Sequence, residues 1–168
     1  MSKILVARSA NLGFIKVIGR GSFQNSGCLK AFYQQLLKEK VNRFVVDLES
    51  CTYLDSTFLG ILLGLGLKLK DSGGVLHILN ASPRNLELLK NLGLDRLIQI
   101  DNTLNGLNGV AKDKLEEMPC PVPTRAEAAP TILEAHENLM EFDPRNVPKF
   151  KDVVEFLRED LGHVADSN

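Results

Sequence analysis

Two short runs constrain this chain most: Phe44-Val-Val-Asp-Leu48 and Val75-Leu-His-Ile-Leu79. Each is β-branched or aliphatic and bounded by polar or glycine residues, which reads as a buried strand. Between them lies Asp55 to Lys70, apolar all round in its first half, which reads as a helix buried on more than one side. Strand, helix, strand in succession requires a crossover and a parallel pair.

The flanking segments extend the pattern. Ile4–Ala7 and Phe14–Ile18, with Asn11-Leu12-Gly13 between them, predict a hairpin. Gly19-Arg20-Gly21-Ser22 reads as a loop, with Asn25 or Ser26 capping the next helix. That helix carries Leu29, Phe32, Tyr33, Leu36 and Leu37 on one face. Glu49 to Leu54 reads as a loop. Ser82-Pro83 opens a third helix with Leu86, Leu89 and Leu92 on its apolar side, closed by Gly93. Leu97–Ile100 is the last strand. The expected class is α/β, with a mixed sheet of about four to five strands packed with helices.

Composition divides the chain. Residues 1–110 hold 13 Lys+Arg and 8 Asp+Glu, a net +5, while residues 111–168 hold 7 and 13, a net −6. Six of the seven prolines follow Glu117, and twelve of the thirteen glycines precede Val110. The expected organisation is a body over 1–110, a Pro-rich linker over 111–123 and a helical extension over 124–168. Asp101 to Gly109 repeats Leu-Asn-Gly and reads as weakly structured.

Thr124 and Glu127 stand at capping-box spacing, although Pro130 argues for a start nearer that residue. The apolar set there is Ile132, Leu133, Leu139 and Met140, with His136 on the stripe. A second helix from about Asn146 carries Val147, Phe150, Val153, Val154, Leu157 and Leu161. Two apolar stripes must be covered, by the body or by a homodimer contact. Glu116, Glu117, Glu127, Glu134, Glu137 and Glu141 read most simply as a solvated acidic face, the alternative being that they dock on the basic body or hold a basic partner.

Net charge is −1 overall, which gives no nucleic-acid footprint. The longest apolar run, Phe58–Leu67, is too short for a bilayer, and the N-terminus has no signal-peptide pattern. Cys28, Cys51 and Cys120 are odd in number and unpatterned, which suits a reducing, cytoplasmic setting with neither metal nor cofactor. There is no nucleophilic triad and no phosphate loop with a lysine, so an enzyme is not expected. Gly60 and Gly64 share a helical face and imply close approach of another backbone.

Asp55-Ser56-Thr57 clusters helix N-cap residue types. A hydroxyl at a helix N-terminus also suits a phosphoryl group, because free N–H groups and the dipole favour an anion there. The run Val45-Val46-Asp47-Leu48, then Tyr53-Leu54-Asp55-Ser56-Thr57-x-Leu59-Gly60-x-Leu62, resembles the core signature of STAS domains, the family of anti-sigma factor antagonists. So does Gly73-Gly74-Val75-Leu76-x-Ile78-x-Asn80-x-Ser82-Pro83 followed by Leu-x-x-Leu-Gly-Leu. The resemblance implies a phosphoacceptor at Ser56, with Thr57 as the alternative. It implies a partner that is both anti-sigma factor and serine kinase, with an ATP-binding fold, and a PP2C-type phosphatase that resets the switch. The partner surface implied comprises Asp55, Thr57, Phe58 and Gly60, with Arg20 and Ser22 of the neighbouring loop. The family usually has Gly where Phe58 stands, and an acidic residue in the loop occupied here by Gly19-Arg20-Gly21-Ser22. A constitutive STAS scaffold without phosphorylation is the alternative.

Overall fold

The computed structural model describes residues 2–101 and 114–166, with side chains of the last helix as far as Gly162. The Leu-Asn-Gly repeats therefore lie outside the described residues. Strands β1 (Lys3–Ser9) and β2 (Leu12–Gly21) form the expected hairpin, pairing antiparallel from Lys3↔Ile18 to Ser9↔Leu12. Parallel to β2 run β3 (Arg43–Asp47), β5 (Val75–Leu79) and β6 (Gln99–Asp101). Helices α1 (Phe23–Lys38), α2 (Ser56–Asp71) and α3 (Pro83–Asn91) connect them.

The strand alternation explains the core. Ile15, Val17, Phe44, Val46, Leu76 and Ile78 turn to the helices and are at most 3 % exposed. Val45 and Leu79 turn to the other face, with Ala7, Leu12 and Phe14. Strands buried on both faces read as continuous apolar runs, which is how β3 and β5 look in the sequence.

Two corrections concern the segment before α1 and the one before α2. Gly19, at φ +79°, does not end β2. The register shifts at Gly19/Arg20 and the strand continues to Gly21, so the expected loop is strand as far as that residue. This extension pairs with Cys51–Leu54, which is strand β4 rather than loop. The α1 cap is Ser22, not Asn25 or Ser26: the Gln24 N–H donates to Ser22 Oγ, and Asn25 Oδ1 accepts from the Ser22 N–H. With β4 and the two-residue β7 (Glu116–Glu117), which pairs with the edge of β1, the sheet has seven strands among the described residues.

Helix α4 (Arg125–Phe142) begins at the expected capping box of Thr124 and Glu127. Pro130 lies inside it without shifting its start. A 3₁₀ turn (Pro144–Asn146) leads into α5 (Val147–Asp166). Helix α4 folds back across α2 and α1, burying Ala128, Ala129, Ala135, His136 and Leu139. Along α5, Val154 is buried, but Val147 and Val153 of the expected stripe are exposed, as is Phe156. Among the described residues no helix is long and apolar enough to cross a membrane.

Cys28 and Cys120 are disulfide-bonded, and only Cys51 is a free thiol. The unpatterned cysteine spacing gave no sign of this pair: the partners are 92 residues apart in sequence and meet only because the linker returns to α1.

The turn between α4 and α5 is pinned to the body. Asp143 is buried and contacts the guanidinium groups of Arg145 and Arg96 at 2.7 and 2.9 Å. Asn146 donates to Leu92 O and Leu139 O at 3.0 and 2.9 Å. Hydrogen bonds and charge from Arg145, with help from Arg96, hold the Asp143 carboxyl down at about 2, against an ordinary 3.8. A depressed carboxyl stabilises the fold above its unfolded pKa and loses that contribution as pH falls through the folded value. Stability should therefore fall between about pH 4 and pH 2. In Asp143→Asn, thermal melting should start lower at neutral pH and converge on the parent by pH 2.

Candidate functional site

The N-termini of α1 and α2 meet at Asp55. Its Oδ1 accepts from the Phe58 N–H at 2.8 Å, capping α2. Its Oδ2 accepts from the Phe23 N–H at 2.9 Å, capping α1. Its own N–H donates to Gly21 O at 2.9 Å, fixing it to the end of β2. One carboxylate thus satisfies a free N–H at each of two helix starts, where negative charge also suits both dipoles.

Ser56 is the first residue of α2 and is half-buried. Its Oγ lies 2.8 Å from His136 Nε2, on α4. His136 Nδ1 lies 2.7 Å from Ile132 O. A carbonyl only accepts, so Nδ1 carries the hydrogen and, in the neutral ring, Nε2 accepts from the Ser56 hydroxyl. The imidazole is itself buried, and its ring meets Phe150 of α5 edge-on at 4.9 Å between centroids. Ser–His contact of this kind is what base activation of a hydroxyl needs. Here, however, the adjoining crossing is sealed by backbone: a Cβ at Gly60 would stand 2.3 Å from Ala135 O.

The remaining sequence-derived residues divide. Gly60 lies at that crossing, and its carbonyl accepts from Asn138 Nδ2 at 3.3 Å. Arg20 is exposed, its guanidinium 4.6 Å from the Tyr53 ring centre, with Arg84 5.5 Å from the same centre. Ser22 is the α1 cap. Thr57 and Phe58, at 4 % and 0 % exposure, lie in the interior of this structure. The Phe58 ring fills the space beneath Gly21, where a Cβ would approach it to 3.0 Å.

Sequence reasoning noted His136 only as part of a stripe and gave it no role. It also left Lys30 and Glu134 apart, and these form an ion pair between α1 and α4. Of the acidic face, Glu134 docks on the body, while Glu137 pairs with Arg158 within the extension.

Residues 4–99, more than half of the chain, match the family model described as "Mlab, STAS domain". Among solved structures, the unphosphorylated form of the anti-sigma factor antagonist SpoIIAA is similar at 17% identity and TM-score 0.53, covering 63% of this chain and 94% of that one. The phosphorylated form of the Bacillus cell fate determinant SpoIIAA gives 16%, 0.53, 64% and 99%. An anti-sigma factor antagonist from Mycobacterium paratuberculosis gives 20%, 0.56, 67% and 96%. These likenesses carry the fold, which the segment in register from β1 to β6 shares. On the family match, this chain belongs to the STAS domain family.

Proposed function

We propose that the chain is a phosphorylation-regulated anti-sigma factor antagonist, with Ser56 as phosphoacceptor. The observation that supports it most is the placement of the Ser56 hydroxyl on the first residue of α2, directly after a carboxylate that caps two helices. A phosphate there gains the helix N-terminus and brings about −1.5 to −2 of charge beside Asp55. That change of charge is what would separate a bound partner. The partners on this reading are an anti-sigma factor with serine kinase activity and an ATP-binding fold, and a PP2C-type phosphatase. The protein itself works by binding rather than catalysis, in the cytoplasm. The working division is a STAS domain over 1–110, a linker over 111–123 and a helical extension over 124–168. Arg20, Ser22, Asp55 and Gly60 border the docking face, with Arg20 its exposed member; Thr57 and Phe58 support that face from beneath.

The test is incubation of the full chain with the cognate kinase and ATP, read by mass spectrometry. Phosphate should appear on Ser56 and be lost in Ser56→Ala. Ser56→Asp should bind the kinase at least 10-fold more weakly than Ser56→Ala. A second reading, a constitutive STAS scaffold, is favoured by the engagement of Ser56 with His136. It requires no phosphate uptake and equal binding by the two variants, which would overturn the switch.

A further inference from the structure

The face of α2 that carries Ser56, Gly60 and Gly64 is a seat for a helix. A Cβ at Gly60 would collide with the backbone of Ala135, and one at Gly64 would come 3.0 Å from Asn138 Nδ2. Only glycine lets α4 approach this closely. Ala135 and Leu139 are completely buried in the contact, Asn138 bonds the α2 backbone, and Glu134 meets Lys30 across α1. The seat thus specifies its occupant: a helix with a small residue at the crossing, an acid one position before it and a hydrogen-bonding ring one position after.

The chain also carries a tether for that occupant. Cys120 stands four residues before the α4 cap, Thr124, and its partner Cys28 lies on α1, two residues before Lys30. A bond so near the start of α4 holds the helix at high effective concentration over its seat. In the reducing cytoplasm that the proposed function assigns to the chain, a disulfide is characteristically redox-sensing rather than structural. Both cysteines are half-buried rather than sealed in the core.

We infer that α4 is a releasable cover over Ser56, latched by the Cys28–Cys120 disulfide, and that reduction opens the α1/α2 seat to a helix of the same chemistry supplied by another protein. The step is thiol–disulfide exchange with a dithiol reductant. The Sγ–Sγ bond breaks, the reductant's two thiols close into its own disulfide, and two electrons and two protons leave Cys28 and Cys120 as thiols. This deepens the proposed function, since it names what a partner must displace to reach Ser56.

The test uses the full chain and a fluorescent synthetic peptide of residues 124–146, followed by anisotropy. Ala135→Leu bulks the cover and leaves the α2 seat unchanged. The reduced Ala135→Leu protein should bind the peptide at least 10-fold more tightly than the oxidised one, and at least 100-fold more tightly than the oxidised parent. Adding Gly60→Val should abolish binding. Equal affinity in both redox states overturns the latch; no binding to reduced Ala135→Leu, or binding indifferent to Gly60→Val, overturns the seat. As a control on packing, Cys28→Ser alone should speed hydrogen exchange of α4 about 10-fold over the oxidised parent, and unchanged exchange also overturns the latch. No phosphate enters these measurements, so failure of Ser56 phosphorylation and failure of the cover are told apart.

Discussion

Asp55→Ala should lower the melting temperature of the full chain by about 4–8 °C, because one substitution removes the α2 cap and the carboxylate that satisfies the first N–H of α1 beside its Ser22 cap. Each cap is worth about 1 kcal/mol, and a chain of this size loses roughly 2–4 °C per kcal/mol. The loss falls on both helices that frame the site, since Oδ1 serves α2 and Oδ2 serves α1. Asp55→Asn keeps a single carbonyl oxygen and so caps one helix only, with a loss near half as large. Scanning calorimetry of the three proteins at pH 7 checks the order. An Asp55→Asn protein as damaged as Asp55→Ala would mean that the shared cap is not what Asp55 supplies.

The second large effect follows from the distance at Ser56. Between Oγ and His136 Nε2 there are 2.8 Å, hydrogen-bond contact with no space for another heavy atom. A phosphoryl group on Oγ replaces the hydroxyl hydrogen that this bond uses and adds a phosphorus and three oxygens beside it. Its charge also adds to that of Asp55 and approaches the aromatic pair of buried His136 and half-buried Phe150. The α2 side cannot retreat, because Thr57, Phe58 and Leu59 are packed in the core. Helix α4 is the part that yields, since it rests on the body through one face. Phosphate on Ser56 is therefore expected to loosen α4 from α2 once the Cys28–Cys120 latch is reduced.

Much of this was readable in the residues. Strands β3 and β5 announced themselves because burial on both faces demands unbroken apolar runs. Ser82-Pro83 and Thr124-x-x-Glu127 placed helix starts because capping is a local reaction between near neighbours. Gly60 foretold a close backbone, which proved to be that of α4, while Gly64 faces the side chains of Asn138 and Tyr33. Apart from the α1 cap, which fell on Ser22, the failures are long-range. Strand β4 depends on a bulge at Gly19, more than thirty residues earlier, and β7 on backbone pairing of two glutamates with the β1 edge. A single histidine on an apolar stripe does not tell which hydroxyl it will meet, 80 positions away. Nor does cysteine spacing reveal a pair that only the returning linker brings together. Where the family usually has Gly, the Phe58 ring is housed inside because Gly21 opposite makes room for it, a pairing across 37 residues that the motif does not show.

The claim that ties these observations together is that the C-terminal extension covers the Ser56 end of α2 and yields to phosphate. Its most direct test is hydrogen exchange by mass spectrometry on the full-length chain with Cys28 and Cys120 reduced, with phosphoserine encoded at position 56, against the unmodified protein in the same redox state. Amides of α4 (Arg125–Phe142) should exchange at least 10-fold faster in the phosphoserine protein, while those of β3 and β5 stay unchanged. Equal protection of α4 in the two proteins would contradict the account.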